Sequence, residues 1–259
     1  MSVITLISDW QPNSIYLSAV KGQLFSKITD AKIVDISHSI DPFNINQAAF
    51  ILKNTFKSFP EKTIHLVCIS SETKANEDYV IIFYENHYFV GSDNGIFGLI
   101  FDHAPNKIVK VNINLFDVTT FPELSIFVNI AVKISNEEQI ETLGELTTSY
   151  KKLFPLSATY DEDVIQGKVI YIDAFKNAVS NISKELFEQT GKGRKFSIFI
   201  KSNRNKIDTI NKKYSDSESG EIFAIFNSMN LLEFGQFKGC ISELLAIDIE
   251  TVIRVNFYK

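Results

Sequence analysis

Between Val3 and Ile69 the chain alternates short apolar runs with helix-spaced ones, and this order constrains the fold more than any other feature. Val3 to Ile7 reads as a strand ending at Ser8-Asp9, after which Ile15, Leu17, Val20 and Leu24 recur at helical spacing. Ala31 to Ile36 predicts a second strand, closed by Asp35 and a Ser37-His38 turn. Asn46 to Phe56 predicts a helix stopped before Pro60, and Thr63 to Ile69 a third strand. A strand, helix, strand, helix, strand order favours parallel strands joined by right-handed crossovers.

Downstream, Tyr79 to Tyr84 and Tyr88 to Val90 predict a hairpin turning at Glu85-Asn86-His87. Lys107 to Val111 predicts another strand, and Glu123 to Ile134 a helix. The predicted fold is an α/β domain over residues 1–145 with a mostly parallel sheet, then a β-barrel-like domain over 166–259. A polar connection over 146–165, containing Pro155, joins them. In the second domain, strands are expected at Lys168 to Ile172, Phe196 to Ile200, Glu221 to Phe226 and Thr251 to Phe257. The polar stretch Asn203 to Gly220 between them is expected to be a mobile loop.

Twenty-two Phe and nine Tyr in 259 residues predict aromatic cores. A net charge of −5 with scattered lysines argues against a nucleic-acid surface. No apolar run approaches the ~20 residues of a membrane span, and no cleavable leader is visible, so the cytoplasm is the expected compartment. Cys68 lies inside an apolar run and reads as a buried small hydrophobe.

In open parallel sheets, ligands collect at the carboxyl ends of strands. Asp9, Asp35 and Ser70-Ser71 are placed there, and a carboxylate at such an end can accept both hydrogen bonds of a ribose diol. The competing role for such an Asp is to cap the following helix. His65 reads as structural and His38 as a corner residue, and no ligand-like spacing supports a metal site. Gly191-Lys192-Gly193 lacks the rest of a phosphate loop, and neither a Gly-x-Gly-x-x-Gly fingerprint nor a Gly-x-Ser-x-Gly elbow is present.

Several segments together resemble one family along nearly the whole chain. They are Ile7-Ser8-Asp9, Tyr16 to Gly22, Ile33 to Pro42, Asn46 to Phe50, Tyr88 to Gly95, Gly167 to Asn177, and Asn227-Ser228 with Leu232-Glu233 and Lys238-Gly239. In order and spacing they are similar to the S-adenosyl-L-methionine (SAM) hydroxide adenosyltransferases, hydrolytic relatives of the fluorinase and chlorinase. The resemblance implies a homotrimer that binds SAM or adenosine between subunits, with SAM as substrate and no separate cofactor. By motif position, Asp9 takes the ribose hydroxyls and Phe43 an aromatic ribose-side place. Asp173 sits by the methionine amino group, Phe175 and Asn177 frame the adenine, and Ser228 and Glu233 complete the pocket.

The chain departs from that family in one respect. The hydrolases carry an Asp-Arg-His triad, whose positions here read Ser70-Ser71-Glu72, Glu77-Asp78 and Phe121-Pro122-Glu123. The first arginine of the chain is Arg194. Three functions stay open: a transferase of altered mechanism around Ser70, Thr73 and Glu72, a non-catalytic SAM or adenosine binder, and a structural trimer with a vestigial pocket.

Overall fold

The computed structural model describes residues 2–72, 78–117 and 119–258. The chain divides into two compact units, Met1–Pro155 and Leu156–Lys259.

The first unit begins with β1 (Val3–Ser8), α1 (Ile15–Lys27), β2 (Lys32–Ser37), α2 (Ile45–Lys53) and β3 (Ile64–Cys68). It continues through β4 (Tyr79–Tyr84), β5 (His87–Ser92), α3 (Ile96–Ile100), β6 (Lys107–Val111), α4 (Val128–Ser135) and β7 (Gly144–Thr147). One seven-stranded sheet runs β2-β1-β3-β5-β4-β6-β7. It is parallel from β2 through β5 and antiparallel through β4, β6 and β7. Each face is covered by its own apolar cluster. Leu17, Val20 and Leu24 of α1 pack with Phe127, Ile130 and Ala131 on one side, and Ala48, Ala49 and Leu52 of α2 pack with Phe56, Phe89 and Phe97 on the other. Double coverage explains why β1 and β3 read as largely apolar runs, in which Thr5 and His65 interrupt the pattern and pair with each other.

Local chemistry sets the helix ends. The Ser14 hydroxyl accepts from the Tyr16 N–H at the start of α1, and the Asn44 side chain accepts from the Gln47 N–H at the start of α2. The helix expected over 123–134 is not uniform: residues Glu123–Phe127 form a wide π turn before α4 begins. The helix expected to reach Phe56 ends at Lys53, and a separate 3-10 turn carries Phe56–Ser58.

The second unit comprises β8 (Thr159–Tyr160), β9 (Val164–Ile172), β10 (Ala178–Ser183), α5 (Lys184–Gly191), β11 (Lys195–Ile200) and β12 (Lys206–Ile207). β13 (Ile222–Phe226), β14 (Leu231–Gln236), α6 (Ile241–Leu244) and β15 (Val252–Tyr258) follow. Its antiparallel sheet, ordered β12-β11-β15-β9-β10-β14-β13, curls into a nearly closed barrel-like form, with Asn211 bridging to Ile225 between its ends. Ile165, Ile198, Phe234 and Val255 fill its interior. The α/β domain followed by a β-barrel-like one is as the sequence predicts. The stretch expected to be a loop, Asn203 to Gly220, carries β12 and a 3-10 turn at Tyr214–Asp216.

His65 has the structural role its position implies. It is fully buried, 2.6 Å from the Thr5 hydroxyl and 3.1 Å from His87 Nδ1, with its ring stacked on Phe89. Burial, with His87 beside it, lowers its pKa to about 3. In the unfolded chain a histidine titrates near ~6.5, so below that pH the unfolded state binds a proton that the folded state refuses. Stability supplied by neutral His65 is therefore expected to fall as pH drops from about 6.5 toward about 3. Denaturant titrations across this range should show a shallower acid slope in His65→Gln than in the parent; equal slopes would remove His65 as the cause.

Candidate functional site

Two groups of polar side chains occupy loop positions, one in each unit. In the first unit they gather at the carboxyl ends of β1 and β3. Asp9 follows β1 directly, and its Oδ2 accepts the Phe43 N–H at 2.9 Å and the Ser70 N–H at 3.3 Å. Both donors have left-handed backbone, with φ of 64° at Phe43 and 46° at Ser70, which turns their N–H groups toward the carboxylate. The Phe43 ring is 72% exposed, an unusual position for so large an apolar group. Ser70 is fixed further by Asn94, whose side-chain amide donates to the Ile69 carbonyl at 3.0 Å and the Ser70 carbonyl at 3.4 Å. Asp9, Phe43 and Ser70 thus form one cluster. Thr73 lies outside the described residues.

Asp35 does not join it. It lies inside β2 rather than at its end, and is held by Lys21 Nζ at 2.6 Å and His38 Nε2 at 3.1 Å. Burial raises its pKa, but Lys21 and His38 outweigh that and leave it below the ordinary carboxylate range. His38 in turn lies 2.7 Å from the Ser8 hydroxyl. This Ser-His-Asp chain has the connectivity of a nucleophilic triad, but Ser8 is completely buried, so it braces the corner before Phe43 instead.

Ser71 and Glu123 complete the first group. Glu123 opens the π turn after Pro122 and is 3% exposed. Phe121, two residues earlier, packs on Trp10 at 5.2 Å and on Tyr16 at 4.8 Å, which fastens this segment to the loop after β1. Burial raises the Glu123 pKa, the Ser71 side chain lowers it, and Asp9 and Glu72 raise it further, leaving a net upward shift. Motif order marks Phe121-Pro122-Glu123 only as the segment in which the family's histidine is missing. The spacing of Glu123 to Phe127, Ile130 and Ile134 places it on the apolar face of the helix, and that signal identifies it.

In the second unit, Asp173 to Asn177 form the tight turn between β9 and β10. Asp173 Oδ1 accepts the Asn177 N–H at 2.8 Å, and Oδ2 accepts the Asn177 side-chain amide at 3.2 Å. Phe175 stands 76% exposed at the turn. Gly235 of β14 lies so close that a Cβ there would come within 2.7 Å of Asn177 Oδ1 and 2.3 Å of the Phe223 ring. Glu233 of β14 is buried and accepts from the Tyr214 hydroxyl at 3.1 Å and the Asn227 amide at 2.9 Å. Burial raises its pKa, Asn227 and Tyr214 pull it down, and Asp173 pushes it up again, with a net rise. Burial and Glu233 push the Tyr214 phenol up to about 12. Ser228 is exposed at the turn between β13 and β14. Tyr214 thus joins this polar group although no motif flags it, and Asn227, already part of the Asn227-Ser228 motif, joins it as a partner of Glu233. Among the described residues no His, Cys, Asp and Glu group is arranged to hold a metal, and no helix is long and apolar enough to cross a membrane.

An α/β domain with a carboxylate at the ends of its parallel strands, followed by a barrel-like domain, matches a two-part family model. Residues 4–144 match the SAM hydroxide adenosyltransferase N-terminal domain, and residues 167–254 match its C-terminal domain. The chain therefore belongs to the SAM hydroxide adenosyltransferase family. It is 29% identical to the (R)-S-adenosyl-L-methionine hydrolase of Methanocaldococcus jannaschii, covering 99% of this chain and 97% of that one. The fold is similar to an uncharacterized conserved protein from Thermotoga maritima, with a TM-score of 0.87 at 23% identity, covering 98% and 99% of the two chains. It also resembles a conserved hypothetical protein from Thermus thermophilus, with a TM-score of 0.74 at 20% identity, covering 98% and 100%.

Asn227 tests the second group. Its carboxamide bonds Glu233 and accepts the Met229 and Leu231 N–H groups at 3.0 and 3.2 Å, all from a buried position. Asn227→Ala is expected to cost roughly 1–3 kcal/mol by leaving these groups unpaired. Urea denaturation reads this, and a change under about half a kcal/mol would show that water replaces the amide.

Proposed function

We propose that this protein hydrolyses SAM to adenosine and methionine by attack of water at C5′ of the ribose. It works as a homotrimer in the cytoplasm and needs no cofactor. The observation that carries this reading is the Asp9 carboxylate, held by two backbone N–H groups at the carboxyl ends of parallel strands with the exposed Phe43 ring beside it. A fixed carboxylate there suits a vicinal diol, and an open aromatic face suits the sugar. The hydrolase named among the relatives supports the same substrate.

SAM brings its own leaving group. A sulfonium departs as a neutral thioether, so the protein has to fix the sugar, align a water in line with the C5′–S bond and keep other water away. In the second unit, the Asp173 charge adds to the cost of ionising buried Glu233, a cost that a nearby ammonium relieves. We assign both acids to the amino group of the ligand, with Phe175 and Asn177 at the adenine and Ser228 at the pocket edge.

The other reading is a SAM or adenosine binder without turnover. It is favoured by Ser70-Ser71-Glu72 and Phe121-Pro122-Glu123 standing where the hydrolases carry an acid and a histidine. Incubation with both sulfonium epimers of SAM, with and without chloride, separates the readings by chromatography of the nucleosides. Adenosine above the enzyme-free rate supports hydrolysis, whereas tight binding without product supports the binder. Asp9→Ala is expected to weaken SAM binding by ~2–3 kcal/mol, through loss of charged hydrogen bonds. An unchanged calorimetric Kd would take Asp9 out of the site.

A further inference from the structure

Glu123 is a buried carboxyl that the fold has no evident need for. It is 3% exposed, and among the described residues no lysine, arginine or histidine forms an ion pair with it. Burying an unpaired carboxylate is costly, and a leucine or glutamine on this apolar helix face would avoid that cost. Strained or costly groups of this kind concentrate where chemistry is done.

Its surroundings are those of a reaction site. The residue opens a π turn, in which the Val128 N–H reaches back to the Glu123 carbonyl, and such turns recur at functional positions. The stacking of Phe121 on Trp10 holds the turn against the loop that carries Asp9. The Ser71 hydroxyl is buried against the Glu123 carboxyl, whose pKa it draws down, and no other group among the described residues satisfies it, so a small polar guest between the two would be held by both. The charged and titratable groups facing Glu123 are Asp9 after β1, Glu72 after β3 and the Cys68 thiol at the end of β3. Burial pushes that thiol well above its ordinary value, so it stays neutral and competes for no proton.

We propose that Glu123 is the general base of the hydrolysis, with the Ser71 hydroxyl orienting the attacking water. The inference rests on the hydrolase reading above. In the step, a water oxygen forms a bond to C5′ while the C5′–S bond breaks and its electron pair goes to sulfur, giving the neutral thioether of methionine. One water proton stays as the 5′-hydroxyl of adenosine. The other passes to the Glu123 carboxylate and from there to solvent, so the sum is SAM cation plus water to adenosine, methionine and a proton. Burial and the like charges of Asp9 and Glu72 make this carboxylate a stronger base than an exposed one.

The test uses the full chain. Adenosine formation is followed against pH for the parent, Glu123→Gln and Glu123→Asp, with SAM binding by calorimetry and folding by circular dichroism. We expect Glu123→Gln to lose kcat by ~10²-fold or more while the Kd for SAM stays within about threefold, because only proton transfer is removed. The parent should lose kcat as acid protonates the carboxylate, an acid limb that Glu123→Gln lacks and Glu123→Asp partly restores. Parent-like kcat and acid limb in Glu123→Gln would overturn the base assignment and leave the hydrolase reading intact. A parent that forms no adenosine would overturn both. If Glu123→Gln fails to fold, the parent profile decides: an acid limb that moves to higher pH in Ser71→Ala, which loses the contact that draws the Glu123 pKa down, supports the site, and a kcat independent of pH throughout the folded range, or a limb that Ser71→Ala leaves in place, overturns it.

Discussion

The first unit's site depends on one oxygen atom. Asp9 Oδ2 receives N–H groups from the loop before α2 and from the chain just after β3, so three separate loops meet on a single carboxylate. An ionised acceptor makes stronger hydrogen bonds than a neutral one, and here both donors come from backbone with positive φ that would otherwise be strained. The arrangement is possible because β1 lies between β2 and β3, in parallel register with both. Parallel neighbours deliver their carboxyl ends to one edge of the sheet, and that edge is where polar loops can converge. The Ser8-His38-Asp35 chain braces the same corner: Ser8 and His38 are too buried to meet a ligand, and Asp35, though exposed, is clamped by Lys21.

The second unit solves the same problem with antiparallel strands. Its polar groups sit on two adjacent hairpins, and β10 and β14 pair directly so that Ala178 lies opposite Phe234 and Val179 opposite Glu233. A short turn locks Asp173 to Asn177, and a glycine at 235 leaves room for the Asn177 carboxamide. The outcome is a buried acid with two neutral donors, Tyr214 and Asn227, and an acidic neighbour in Asp173. Each donor lowers the cost of the charge without cancelling it.

How much of this the sequence reveals depends on what each residue's neighbours are. β1, β3 and the β4–β5 hairpin are legible because strands covered on both faces are mostly apolar. β10 and β14 escape notice because Ser180, Asn181 and Glu233 interrupt their patterns, Glu233 being the acid that Tyr214 and Asn227 hold. Motif order singles out Asp9, Phe43, Asp173 and Asn177, while a carboxylate near a strand end, such as Asp35, looks alike whether free or clamped by a lysine. Tyr214 sits in a polar stretch whose composition resembles a loop, and only tertiary contact reveals its partner. Glu123 shows the converse: its periodicity is plain, but its chemistry depends on burial, which one sequence does not display.

The π turn at Glu123–Phe127 carries a consequence for the lineage and for any redesign of this chain. A π turn is an α-helix with one residue too many, and each helical residue advances the side-chain direction by about 100°. Losing a single residue between 123 and 127 would restore regular winding with α4 undisturbed, since α4 is anchored by Val128, Ile130 and Ala131. The buried carboxyl would then swing by about a quarter-turn, away from the ends of the parallel strands. Insertions and deletions here therefore act as a rotary dial on the pocket's polarity, one that changes which side chain points inward while every packing residue of the helix stays in place.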